Sequence, residues 1–268
     1  MEEAFAFYTG TLRSLCDEGL ISTLDAVLAV AAGEFDRKVL TAAGFSDVVI
    51  SNMDTRMDAN SAAFAPYRWA YEDAERLGYA DRSFDFAVVH SGLHHCRVPH
   101  QELAEMYRVA RKGVLFIESR DSLLMKAAAR AGLLAEYEIE AVVGNDYQFG
   151  GQRNSATPNY VYRWTEREVE KTANSIDPTG KLTFRYFYAF RLPTERLSMH
   201  RSATVRAMGA ALSLPAFIAA KVLKRQGNLF GAFIGRPRAV WPWINDEGTI
   251  RRDWAEQRFA ARADSRQR

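Results

Sequence analysis

DAERLGYADRSFDFAVVHSGLHHCRVPHQELAEMYRVARKGVLFIE, residues 73–118, is the stretch whose reading decides the fold. Phe84, Phe86, Ala87, Val88 and Val89 form a near-continuous apolar run, as expected of a strand covered by helices on both faces. A polar, glycine-containing segment follows from His90. Residues 99–110 predict a helix, with Pro99 near its start and Leu103, Met106 and Val109 on one stripe. After Arg111, Lys112 and Gly113, VLFIE predicts the next strand. Strand, helix, strand in this order is the unit of a parallel sheet.

Upstream the same unit recurs. VLAVAAGEFD, residues 27–36, predicts a short buried strand turning at Gly33; residues 36–44 predict a helix ended by Gly44; residues 46–54, SDVVISNMD, predict a second strand. Residues 2–20 suit an opening helix. Downstream, 122–141 is a helical stretch, 145–164 a long loop rich in glycine, amides and aromatics, and 165–174 a helix whose Thr165 and Glu168 have capping-box spacing. Residues 182–193 and 228–237 predict strands, the latter closing the sheet, and 194–226 a mostly helical segment broken near Pro215. Doubly wound sheets bind ligands beyond the carboxyl ends of their strands. The segments to search are therefore 31–36, 51–58, 90–96 and 118–121.

From about residue 26 to 118 the chain resembles the class I S-adenosylmethionine-dependent methyltransferases. The resemblance is particularly to the small-molecule group carrying DAxxLPFxDxSFDxVxxxxxLHH, a helix ending in Arg-Val, and a KPGG-like turn. The resemblance implies an α/β fold: a Rossmann-like, doubly wound, mostly parallel seven-stranded sheet with an elaborated C-terminal half. It implies one domain over 1–268, with a cofactor-binding core at 22–122, a helical and loop elaboration covering the acceptor site at 123–225, and a closing strand and tail at 226–268. The implied cofactor is S-adenosylmethionine. The implied reaction is methyl transfer to oxygen or nitrogen of a small-molecule or sugar-containing acceptor, with surface-polysaccharide precursors as one such class.

By position in that pattern, Asp73 accepts a hydrogen bond from the adenine amino group and Ala74 supplies neighbouring backbone. The first turn departs from the family. Ala29 stands where the family has an acid, and of its three glycines only the middle one, Gly33, remains, with Ala31 and Phe35 at the others, so Ala31 and Gly33 must serve by backbone, and Phe35 would crowd or cover the cofactor. Asn52 replaces the acid that holds the ribose hydroxyls; Asn52 or the nearby Asp54 takes that role, or both form a plain Asx turn. His90 would touch the cofactor through backbone. His94 and His95 are the catalytic candidates, with a general base and a structural hydrogen bond both open for His94. No metal site is expected, because adjacent histidines rarely aim at one ion and no neighbouring acid joins them. Within the long loop, Tyr147, Arg153, Asn154, Asn159 and Tyr160 are acceptor-binding candidates, and Gly150 and Gly151 would let it close. The altered first turn keeps a second reading open: a noncatalytic member of the fold used for interaction or regulation.

Composition narrows the remaining classes. The 268 residues are 48% hydrophobic and 25% charged, enough for a large core. The net charge of +2 is concentrated in residues 251–268, where six Arg face three acids; the rest is near neutral, which disfavours nucleic acid as a partner. Cys16 and Cys96 form no CxxC pair, which suits a reducing cytoplasm. The opening MEEAFAFYTG lacks the basic region of a signal peptide, and no apolar run is long enough to span a membrane. Residues 207–220, AMGAALSLPAFIAA, with KVLKR after them, could at most touch a membrane surface or a lipid-linked substrate. Oligomeric state is left open.

Overall fold

The computed structural model describes residues 2–190 and 223–264. Seven strands form one sheet in the order β3-β2-β1-β4-β5-β7-β6. Strands β1 (Val27–Val30), β2 (Val48–Asn52), β3 (Arg68–Tyr71), β4 (Phe84–His90) and β5 (Ala110–Ser119) pair in parallel. Strand β7 (Leu229–Gly235) runs antiparallel between β5 and β6 (Thr183–Ala189). The strand read as closing the sheet is thus inserted beside β5, and β6 takes the edge.

Alternation along the strands divides the core. Val27, Ala29, Val48, Ile50, Phe86 and Val88 face one side, where they meet Tyr8, Leu12 and Leu15 of α1 (Glu2–Asp17) and Val39 and Leu40 of α2 (Glu34–Ala43). Leu28, Val30, Val49, Ala87 and Val89 face the other, against Leu103, Met106 and Val109 of α3 (Pro99–Val109) and Val169 and Ala173 of α6 (Glu166–Ile176). Two covered faces explain why β4 reads as a continuous apolar run. Gly113 lets β5 approach β7: a Cβ there would lie 2.5 Å from the Ile234 carbonyl oxygen, and its φ is +158°.

Local signals explain most boundaries. Pro99 occupies the first turn of α3, and Gly44 ends α2 in the left-handed conformation with its N–H on the Leu40 and Thr41 carbonyls. Thr165 caps α6 by accepting from the Glu168 N–H, but Glu168 does not reach back to complete a box; its carboxylate takes the Tyr162 hydroxyl instead. The helical stretch at 122–141 divides into α4 (Leu123–Arg130), capped by Ser122, and α5 (Ile139–Val143), because Gly132 takes a φ of +72° between them. Strand β3, RWAY, has no apolar alternation and is largely exposed at the sheet edge, which left it illegible in the sequence. Cys16 and Cys96 are free. No helix among the described residues is long and apolar enough to cross a membrane. The expected break at Pro215 and the apolar segment 207–220 lie outside the described residues.

Candidate active site

A cleft of about 220 Å³ opens at the carboxyl ends of β1 to β4. It lies across β1 and β4, where the strand order reverses and doubly wound sheets hold their ligands. Ala31 forms its floor and is the residue that turns left-handed, at φ +48°, while Gly33 is extended at φ −148° and starts α2, outside the cleft wall. The Gly33 N–H is taken by the Asp36 carboxylate at 2.9 Å. The glycine that matters sterically is Gly92, after β4. A Cβ there would meet Val89 Cγ2 at 2.5 Å and Ala31 Cβ at 2.8 Å, so the β1 and β4 loops can touch only through hydrogen.

Polar groups from the β2 and β3 ends line the opposite wall. Asn52 donates from Nδ2 to the Ala32 carbonyl at 3.1 Å and accepts from the Asp54 N–H at 3.0 Å. Asp54 receives Arg56 Nε and Nη2, the latter at 2.6 Å, and the Arg56 hydrogen bond holds its carboxyl below the usual range. Asp73 accepts the Glu75 N–H at 3.0 Å and Arg153 Nη2 at 2.7 Å; Arg153 Nη1 also reaches Glu75 at 2.5 Å. Ala74 is buried beside it.

Arg153 belongs to the long loop, which forms the roof. Asp146, Tyr147, Gly150, Arg153 and Asn154 all have positive φ. The Asn154 side chain accepts the Gly150 N–H at 3.2 Å, and a Cβ on Gly150 would meet the Ala141 carbonyl at 2.7 Å. On the β2 side, Arg56 lies 4.1 Å over the Phe149 ring and donates to Asn145 Oδ1 at 3.3 Å. Gly150, Arg153 and Asn154 face the cleft; Tyr147 and Tyr160 are exposed and do not line it. His90 and Phe35 also lie away from it. Their rings meet in a tilted contact at 4.9 Å, and Tyr8 of α1 stacks on His90 at 5.3 Å, so Phe35 packs beneath α1.

At the inner end of the cleft the two histidines meet acids that sequence did not join to them. His94 Nδ1 lies 2.8 Å from Oε2 of Glu118, at the end of β5, whose Oε1 accepts the Leu93 N–H. Glu138, just before α5, brings Oε2 to 3.3 Å from His94 Nε2 and 3.4 Å from His95 Nε2. Burial pulls the His94 pKa down, but the charge and hydrogen bond of Glu118, with Glu138 behind, outweigh it and push the imidazole up to about 10. Glu138 falls to about 2, chiefly through its His94 contact. Burial and the neighbouring His94 charge hold His95 below its usual value. His95 Nδ1 meets the buried Asn159 amide nitrogen at 2.7 Å, and of the pair His95 alone lines the cleft.

Residues 28–117 match the methyltransferase domain family. A solved S-adenosylmethionine-dependent methyltransferase from Mesorhizobium loti superposes with a TM-score of 0.51 at 13% identity, covering 85% of this chain and all of the other. Magnesium protoporphyrin IX methyltransferase from Synechocystis PCC 6803, with bound S-adenosylhomocysteine, gives a TM-score of 0.50 at 11% identity, covering 87% and 83% of the two chains. No curated protein matches the chain. The fold is that of the class I S-adenosylmethionine-dependent methyltransferases.

In this methyltransferase fold, Ala31, Asn52, Asp54, Asp73, Ala74, Arg153 and Asn154 converge on one cleft together with His95, while His94 and Asn159 stand directly behind it. Four residues of the site were not singled out from the sequence. Arg56, Gly92 and Glu118 fall within the strand-end segments 51–58, 90–96 and 118–121, and Glu138 within the helical stretch 122–141, but only the tertiary fold gives them partners.

Proposed function

We propose that the protein transfers a methyl group from S-adenosylmethionine to oxygen or nitrogen of a small-molecule or sugar-containing acceptor. The observation that carries this reading is the cleft at the ends of β1 to β4, where backbone turns and polar side chains from separate strands converge. In this reading Asp73 receives the adenine amino group, Asn52 and Asp54 take the ribose hydroxyls, and the Ala31 turn lies against the amino-acid end. Each polar side chain keeps hydrogen-bonding capacity beyond its present partners, because a carboxylate has about four acceptor sites and an amide can make more than two bonds.

The chemistry asks for alignment more than for covalent help. An acceptor lone pair attacks the methyl carbon, the electrons of the breaking carbon–sulfur bond return to sulfur, and S-adenosylhomocysteine leaves. The roof loop would keep water from the transfer line. Of the two catalytic candidates, His95, at the cleft surface and held below its usual value, is assigned to the acceptor's proton, and His94, which Glu118 keeps protonated, to the electrostatics behind it. A cytoplasmic setting and a glycan-precursor acceptor belong to the same proposal, the first resting on the unpaired Cys16 and Cys96 and the second on the sequence resemblance.

One observation favours the noncatalytic alternative: Asp54 and Asp73 are both held by arginines, and the Asn52 side chain is tied to the Ala32 carbonyl and the Asp54 N–H. Calorimetric titration of the full chain with S-adenosylhomocysteine separates the two. Saturable binding is expected, weakened in Asp73→Ala by about 1–3 kcal/mol for a lost charge-assisted bond. Absence of saturation at millimolar ligand would leave the noncatalytic reading standing.

A further inference from the structure

The contact of both histidines with Glu138 is more than methyl transfer requires. Its geometry is that of a ligand set. Glu138 Oε2 lies 3.3 Å from His94 Nε2 and 3.4 Å from His95 Nε2, and all three atoms lie within 4.8 Å of one another. Nitrogen and oxygen ligands about 2.0–2.1 Å from a tetrahedral zinc ion are roughly 3.3–3.4 Å apart. Two edges already have that length, and the third is no longer than 4.8 Å.

Two buried atoms point the same way. His94 is 6% exposed, and its Nε2 has no hydrogen-bond partner, since Glu138 is near but not aligned for one. Asn159 is 0% exposed, and its Oδ1 is likewise unpartnered. If the Asn159 amide turns over, Oδ1 accepts from a proton on His95 Nδ1 and gains the partner it lacks. His95 Nε2 then presents a lone pair toward Glu138. The cost is the 3.3 Å contact from the amide to the Gly150 carbonyl. On His94, Glu118 already takes Nδ1, the arrangement in which an outer carboxylate orients a metal-binding imidazole. Charge agrees: with neutral imidazoles, Glu118 and Glu138 leave two negative charges, which one divalent cation balances.

We infer that His94, His95 and Glu138 bind one divalent cation of the zinc class, with Glu118 and Asn159 orienting the imidazoles. The cation displaces a proton from His94. Of the three ligands, His95 is the one that lines the cleft, so an open coordination position on its side would be within the acceptor's reach. If the methyl-transfer reading holds, an acceptor hydroxyl there would lose its proton more readily.

The test needs no methyl donor, so its failure and that of the methyltransferase reading are distinguishable. Full-length protein stripped with a chelator is titrated with Co²⁺, read by its visible absorption, and with Zn²⁺ by calorimetry. One equivalent is expected, giving the intense bands of four-coordinate Co²⁺ that Zn²⁺ abolishes. Glu118→Gln should lower affinity roughly 10- to 100-fold, as for loss of an outer partner. Glu138→Gln and His95→Ala, at partly exposed positions, should lower it more. No stoichiometric binding by the parent, or unchanged affinity in whichever of these two variants keeps the parent's melting temperature, overturns the site.

Discussion

Asp36 shows how a single residue couples this site to stability. It is buried under α1 beside the fully buried Tyr8; it takes the Gly33 N–H on Oδ2 and leaves Oδ1 without a partner. Burial pushes its pKa up to about 7. The folded state therefore holds a proton there that the unfolded chain, with an ordinary carboxyl, has lost. Stability is greatest below pH 4 for this group and falls as pH rises to about 7, by on the order of 4 kcal/mol. Asp36→Asn keeps an acceptor for Gly33 and removes the titration. Urea denaturation between pH 4 and 8 should show the variant losing this slope and exceeding the parent at pH 8; an unchanged slope would mean Asp36 is not the group responsible. None of this was legible in VLAVAAGEFD, because an acid three residues past a glycine reads as an ordinary first-turn acid. Its cost comes from burial, to which Tyr8 contributes through the packing of α1.

At the scale of elements, the roof loop is the part that must move. Its five positive φ angles and its paired glycines give it a defined shape, and two arginine contacts fasten it: Arg153 on Asp73 and Glu75, and Arg56 between Asp54, Asn145 and Phe149. The cleft beneath it, about 220 Å³, is smaller than the roughly 300–1,000 Å³ usual for ligand pockets, as expected where a roof leans in. Such half-exposed pairs contribute modestly, about 0–1 kcal/mol each. Arg153→Ala should therefore speed both association and release of S-adenosylhomocysteine about 3- to 10-fold, measured by stopped-flow tryptophan fluorescence. Unchanged rates would show that the loop does not gate the cleft. Sequence found this loop by its length and its glycines, and placed Arg153 and Asn154 in it. It could not foresee that Arg153 would bind Asp73, since the two residues were assigned to opposite ends of a bound complex and meet only when the loop folds back over β3.

At the scale of the molecule, the sheet separates two cores that share no side chain. Leu12 of α1 belongs to one and Leu103 of α3 to the other, both fully buried. The pattern of strands β1, β2, β4 and β5 was readable because both faces of each are covered, which leaves a plain apolar run bounded by turn residues. The rest of the sheet was less readable: the edge strand β3 escaped notice and β7 was assigned a closing rather than an inserted place, because edge position and antiparallel pairing depend on neighbours distant in sequence. The cores nevertheless hold one sheet, and β4 and β5 donate residues to both, so loss on either face should destabilise the same folded unit. Leu12→Ala and Leu103→Ala should each cost about 2–5 kcal/mol, as buried leucines do. With no shared partners their effects should add to within about 0.5 kcal/mol in the double variant. Urea unfolding followed by circular dichroism and by tryptophan fluorescence should give one coincident transition in all four proteins. Two separated transitions, or a double variant no worse than the weaker single one, would mean that the faces fold independently and that the sheet does not transmit stability across the cleft.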